Sequence, residues 1–436
     1  MKSKLTQKRI LELLHNIVFT SMGVTDPIGI ALAAATAYRE IKGEVQSVCI
    51  ALDKNIYKNA MAVGIPGTDK KGPKMAIALG IVCGDPDKGL LLLEGVENQH
   101  IKIAEKLLTK NNIRLQLNDK VDHIYIQAEI VTTNGIATVL IEGWPDHIVS
   151  ITKNKQTIFE EKKKLRAEKS DDVFARYDFT GIRIEDIINM INKIPDDKLA
   201  FLNKGVTVNL EAAEKGLSLA PGMKLGATLQ KMIKKGIVPN SFANRAKMLV
   251  AAATDARTGG VKVPIFSCVG SGNHGITFFI TVGLSYQKLP TLKEISLQKV
   301  LAFGLLLLVV VKKYTGILTP MCGCAVAVSA AASAAITYSL GGTPSQILAA
   351  FNLVLGDVTG MVCDGAKYGC ALKLSTAASV AIESALLAMQ NIYVPPSDGV
   401  VGNTLLETLE NIRILHKRGM KAVDRTMLDI LLKKEG

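Results

Sequence analysis

The chain has 436 residues, 48% of them hydrophobic, which is enough for one large core or two domains. Its formal charge of +13 comes from lysines scattered along the chain; with aromatics at only 5% and no binding motif beside the charge, nucleic acid is not an expected partner. Charges run through the first turns of MKSKLTQKRILELLHNIV, which is not the pattern of a signal peptide, and the longest apolar run, VLAFGLLLLVVV (300–311), is too short to span a bilayer. The expectation is a cytoplasmic protein with no membrane partner.

In chain order, residues 5–20 carry apolar positions at helical spacing, and DPIGIALAAATAYREI (26–41) follows as a second helix, with Asp26 suited to the N-cap and Pro27 to the first turn. Strand signals come next, in EVQSVCIALD, GLLLLEGV, RLQLND, DHIYIQAEIVT and GIATVLIEGW. The last two form a hairpin about Asn134-Gly135. A charged connector, roughly 153–185, contains EEKKKLRAEKS (160–170) and leads into a region with almost no strand signal. Helices are expected there near 185–195, 208–235, 240–257, 293–312, 322–340, 344–355, 370–390 and 402–433. The expected fold class is α+β: a smaller α/β domain over 42–160, a large all-α domain over 185–436, and N-terminal helices (1–41) packed on the helical domain. The residues leave the oligomeric state open, a homodimer included.

Seven cysteines is an odd count in a chain too large to need disulfide staples, and clustered thiols in such a chain point to metal or catalysis. Cys49, Cys83 and Cys268 stand alone, whereas Cys322 and Cys324 share MCGC, and Cys363 and Cys370 share GMVCDGAKYGCALK. Both pairs lie at helix entrances, where the positive end of the helix dipole favours thiolates. The spacings, one and six intervening residues, do not match paired zinc knuckles, and no histidine lies in the cluster. Thiolates at separate helix entries suit an iron–sulfur cluster better. Should Cys322 and Cys324 be too close for both to bind one cube, three thiolates result, and one iron stays open as a Lewis acid.

These cysteines, together with KNAMAVGIPGTDKKG (58–72), DARTGG (255–260), GSGNHGI (270–276) and SMGVTDPIGIALA (21–33), resemble the cysteine desulfidase family, which is related to the iron–sulfur L-serine dehydratases through their α-chain domain. The resemblance runs nearly end to end. It implies a 4Fe–4S cluster on three protein cysteines, Cys363, Cys370 and Cys324 (with Cys322 as the alternative first ligand), and no pyridoxal phosphate. It further implies a lyase that eliminates sulfide from L-cysteine, giving ammonia and pyruvate, with serine dehydratase-type chemistry or a non-catalytic cluster- or amino-acid-binding role as the alternatives.

The other motifs supply parts for a small amino-acid substrate. GSGNHG offers backbone N–H groups at Gly272 with side chains of Ser271 and Asn273, and Arg257 offers bidentate carboxylate recognition. Asp255 and Arg257 read equally well as a helix-end salt bridge. GIPGTDKKG reads as a second backbone cradle or as a plain loop, and Lys367 either offsets cluster charge or points to solvent. Thr25 is a candidate substrate contact. The departure from the family is at Val24: its motif reads Met-Gly-Cys-Thr-Glu-Pro, with the cysteine as acid–base residue, and valine carries no proton. Asp26 and His274 are then the candidate proton carriers.

Overall fold

The protein is described by a computed structural model covering residues 5–434, apart from 111, 162–173, 175, 176, 291 and 293. Of the expected connector, roughly 153–185, residues 162–173, 175 and 176 therefore lie outside the described residues, and Gln156–Glu160 is a strand. The architecture is α+β. A six-stranded sheet runs in the order β3-β2-β4-β5-β6-β7, antiparallel throughout except for the parallel β2–β3 pair. Its strands are β2 (Val45–Leu52), β3 (Ile113–Leu117), β4 (Tyr125–Thr132), β5 (Gly135–Glu142), β6 (Ile148–Lys153) and β7 (Gln156–Glu160). The hairpin forms as its sequence dictates: Thr132 pairs with Gly135, and Gly135 takes φ +128°, which glycine adopts without strain. Alternation then puts Ile126, Ala128 and Ile130 opposite Ile141, Val139 and Ala137, all fully buried on one face.

That face is covered by helix Thr25–Ile41, which in turn packs on helix Pro73–Cys83. Small residues set these distances: a Cβ at Gly29 would sit 2.6 Å from the Pro145 carbonyl oxygen, and one at Gly80 would sit 2.5 Å from that of Ala31. Of the two N-terminal helices, Gln7–Ile17 rests on helix Leu297–Thr315 of the all-α part, while Thr25–Ile41 lies on the sheet instead. In the helical part, Asn203–Leu219, Phe242–Thr258 and Cys370–Met389 pack in sequence, with Ser329–Ser339 and Pro344–Val358 behind them. The apolar run 300–311 is, as expected, a core helix, buried throughout. Cys370–Met389 has the length and hydropathy to cross a membrane, but 61% of its apolar window is buried inside this fold.

Several expectations need correction. GLLLLEGV is not a strand: Pro86–Leu91 forms a 3₁₀ turn, with Gly89 at φ +51°, and Leu90, Leu92 and Leu93 tuck inward. The helix expected over 208–235 breaks at Ala220-Pro221-Gly222, where Ala220 is left-handed (φ +47°), into Asn203–Leu219 and Leu225–Lys234. The last helix likewise divides into Leu405–Ile414, a π-turn (Leu415–Gly419) and Val423–Leu432. Two strands carried too little pattern to be read: β1 (Val18–Met22) and β8 (Pro264–Cys268) pair antiparallel, Val18 with Cys268 and Met22 with Pro264. Finally, Val24 is the N-cap of Thr25–Ile41, and Asp26 makes no capping bond. Its carboxyl is thereby left for another use.

The closest approach in the helical layer tests the packing. A Cβ at Gly216 would lie 1.9 Å from the Ala252 carbonyl oxygen, so neither backbone can give way without the whole helix moving. Gly216→Ala is expected to destabilise the fold by roughly 1–3 kcal/mol, the usual cost of overpacking, in urea unfolding followed by circular dichroism.

Candidate functional site

One small cavity, about 90 Å³, gathers nearly every residue singled out from the sequence. Six chain segments meet there. The first turn of Thr25–Ile41 contributes Val24, Thr25 and Asp26; helix Lys54–Ala60 contributes Asn55, Lys58 and Asn59; and the last turn of Phe242–Thr258 contributes Arg257. The turn after β8 brings Gly270, Ser271, Asn273 and His274, the loop after Leu297–Thr315 brings Cys322 and Cys324, and the loop before Cys370–Met389 brings Cys363 and Cys370. Gly272 is the one predicted contact that does not line the wall. Its lack of a side chain matters differently, because a Cβ there would lie 2.4 Å from Arg257 Nε.

The two cysteine loops are stitched together by backbone: Cys322 N–H donates to the Met361 carbonyl (2.8 Å) and Cys363 N–H to the Pro320 carbonyl (2.7 Å). Helices start at Cys324, through a π-turn, and at Cys370, so both thiols sit at positive helix ends. All four thiols are free and feel one another's charge. Cys324 hydrogen-bonds Cys322, which pulls the Cys322 thiol down to about 6 and pushes Cys324 well above the ordinary thiol range. Burial raises Cys363, and raises Cys370 to about 11.

Cations surround this sulfur. Lys312 is fully buried, its Nζ donating to the Ile317 carbonyl at 3.1 Å, and burial brings its ammonium down to about 8. A Cβ at Gly323 would lie 2.8 Å from Lys312 Nζ and 2.7 Å from His274 Nε2, which explains the glycine between the two cysteines. Lys58 donates to Asp424 Oδ1 (2.6 Å) and to the Cys363 carbonyl (3.3 Å). Lys367 and Lys373 both pair with Asp364, so Lys367 neither stands alone in solvent nor meets the sulfurs unaccompanied.

Arg257 is buried, with Nη1 donating to Asn273 Oδ1 at 2.8 Å, while Nε and Nη2 have no protein acceptor. Burial lowers its pKa to about 10, still cationic at neutral pH. Asp255 does not pair with it; that carboxylate accepts from the N–H groups of Met223 (3.2 Å) and Gly226 (3.0 Å) at the start of the next helix. Asp26 is raised to about 7, mainly by burial, against the pull of Arg257 and a hydrogen bond from Asn59. His274 is pushed well below its ordinary value by burial and by Lys312; its Nδ1 bonds the Val269 carbonyl (3.1 Å), which places the proton on Nδ1 and the lone pair on Nε2. Thr25 Oγ1 donates to the Gly270 carbonyl at 3.5 Å. GIPGTDKKG is a structural loop: its N–H groups at Gly64 and Gly67 donate to the Thr258 and Gly260 carbonyls.

The residues suit an iron–sulfur cluster on one ground: Lys312 and Arg257, both buried, have no carboxylate bonded to them, and a low-dielectric pocket holding such charge favours an anion. Among the described residues, no three His, Cys, Asp or Glu side chains stand close enough as placed to hold a metal ion.

Sequence reasoning missed Lys58, Asn59, Lys312 and Asp424. The doublet Lys312-Lys313 reads as the polar stop of an apolar run, yet Lys312 is buried while Lys313 reaches the Tyr177 carbonyl.

The model of the serine dehydratase alpha chain family matches residues 87–429, which takes in both cysteine loops and the Gly-rich turn. The chain belongs to the serine dehydratase alpha-chain family. Among curated proteins, a UPF0597 protein of Clostridioides difficile is 37% identical over 97% of this chain and 98% of its own length. Those of Alkaliphilus metalliredigens (38%, covering 98% of this chain and 95% of the relative) and Clostridium botulinum (35%, 98% and 97%) are similar to it in the same way.

Because the folded state keeps Asp26 protonated up to about pH 7 while an unfolded aspartate ionises near 3.8, unfolding releases a proton between those values, and stability falls as pH rises through that window. Asp26→Asn removes this loss. The variant is expected to match the parent near pH 4 and to exceed it above pH 7 by up to about 4 kcal/mol, at 1.36 kcal/mol per unit, in urea unfolding across pH.

Proposed function

We propose that this chain is a lyase that eliminates a β-substituent, thiol or hydroxyl, from a small L-amino acid, with L-cysteine the first candidate substrate and L-serine the second. The observation that supports it most is the convergence of four thiols, an arginine with two free buried N–H donors and a near-neutral carboxyl on one cavity of about 90 Å³. A 4Fe–4S cluster held by Cys363, Cys370 and one thiolate of the Cys322–Cys324 pair would supply an open iron, a Lewis acid for the departing sulfur or oxygen.

The chain's own groups carry the rest. Arg257 Nε and Nη2 receive the substrate α-carboxylate, with Asn273 fixing the guanidinium plane and Ser271 beside it. Asp26, ionised in part at neutral pH, takes the Cα proton; a base with pKa near the working pH combines availability with driving force. The Cα–H pair then forms the Cα=Cβ bond, the Cβ–S or Cβ–O pair leaves with the heteroatom, and aminoacrylate tautomerises and hydrolyses to pyruvate and ammonia. His274, neutral, with Nε2 free of its proton, accepts rather than donates. Val24 adds an apolar wall where the family resemblance has its acid–base cysteine, which leaves the proton to Asp26. The scheme uses no pyridoxal phosphate. Val24 also favours a second reading, a cluster- or amino-acid-binding homologue without turnover.

Anaerobic loading with iron and sulfide, followed by assay of sulfide and pyruvate from L-cysteine and of pyruvate from L-serine, decides between them. Turnover of either substrate supports the lyase; cluster uptake with no product from both leaves the binding role. Cys363→Ala and Cys370→Ala are each expected to abolish iron uptake and the visible absorption, Cys49→Ala to leave both intact, and whichever of Cys322→Ala and Cys324→Ala loses iron identifies the third ligand. Val24→Cys, which places the family's acid–base cysteine beside Asp26, is expected to raise sulfide release from L-cysteine. No gain in the cluster-loaded variant would argue that this chain uses other chemistry.

A further inference from the structure

The buried pair Lys58–Asp424 joins residues at opposite ends of the chain, and neither belongs to the scheme above. Lys58 sits on helix Lys54–Ala60, whose N-terminus Asp53 caps by accepting from the N–H groups of Asn55 (2.8 Å) and Ile56 (3.1 Å). Its side chain is 1% exposed and that of Asp424 8%, with Nζ and Oδ1 2.6 Å apart. Asp424 opens helix Val423–Leu432, which packs on Lys54–Ala60 and is tied down further by Arg425 to Asp119.

A buried ion pair is poor evidence for stability, since an apolar pair of similar volume does as well or better. What this one does is geometric. The ammonium that Asp424 holds also donates to the carbonyl of Cys363, a residue that lines the same cavity as Lys58. The same turn is pressed on the helix: Gly365, at φ +90°, passes so close that a Cβ would meet the Lys58 carbonyl oxygen at 2.6 Å. Ala62 and Lys367 add a β-bridge alongside.

We infer that Asp424 and Lys58 are a positioning pair that sets the direction of the Cys363 thiolate, which makes the C-terminal helix Val423–Leu432 part of the site. The inference rests on Cys363 being a cluster ligand, and its test is arranged so that the two can fail separately.

Lys58→Met keeps the stem and removes the ammonium; Asp424→Asn keeps the shape and removes the charge; the double variant Lys58→Met/Asp424→Leu replaces the pair by packing. In the loaded full-length protein, the first two are expected to lose iron to a ferrous chelator roughly tenfold faster or more, the cost typical of groups that orient a metal ligand. The double variant is expected to lose it no faster than Lys58→Met, with a Tm within a few degrees of the parent. In the unloaded protein, alkylation of Cys363 by iodoacetamide, read by peptide mass, changes severalfold in both single variants, while that of Cys49 stays constant as the internal control. Unchanged iron retention together with unchanged Cys363 alkylation overturns the inference. A parent protein that takes up no cluster overturns the proposed function, and the alkylation arm alone then decides: a severalfold change upholds the positioning role, and none rejects it.

Discussion

The structure turns on two buried cations, Arg257 and Lys312, set beside four thiols with no carboxylate bonded to either. Taking a guanidinium and an ammonium out of water costs several kcal/mol each unless negative charge follows them. Among the described residues, the carboxyl whose charge acts on Arg257 is Asp26, which burial itself pushes toward neutrality. Sulfur is what remains to balance the charge. Of the four thiols, Cys322 alone is drawn toward the thiolate, by its hydrogen bond with Cys324, while burial holds Cys363 and Cys370 up. An anionic group bound among them would meet a positive surround already in place.

That electrostatic demand explains local choices that otherwise look arbitrary. Gly323 is small because Lys312 Nζ and His274 Nε2 occupy the space a side chain would fill. Gly272 is small because Arg257 passes across it. Gly23, at φ +73° and close against Pro66, turns the chain so that Val24 to Asp26 enter the cavity at the start of a helix. Gly323 and Gly272 each mark a place where a charged group and a backbone share room.

The site was more legible than the fold around it. Cys322, Cys324, Cys363, Cys370, Arg257, Ser271, Asn273, His274, Thr25 and Asp26 were singled out by residue type and motif, and all of them line one cavity. What escaped was of two kinds. Strands β1 and β8 are five residues each, too brief for a period to show. Lys58, Lys312 and Asp424 escaped because composition treats a lysine or aspartate as a surface residue. Only their distant partners reveal otherwise, Asp424 for Lys58 and the sulfurs for Lys312. Of the two roles open to Asp26, helix cap and proton carrier, the cap falls away because Val24 takes that place.

The contact between Lys58 and Asp424 also bears on biosynthesis. A chain made from its N-terminus folds its early segments while later ones are still being added. The sheet and the helix bearing Lys58 precede the thiols, and the thiols precede Asp424. The ammonium thus waits for its counter-charge until nearly all of this sequence has left the ribosome. A truncated product ending before Val423 would carry every cysteine yet lack the carboxylate that pairs with Lys58.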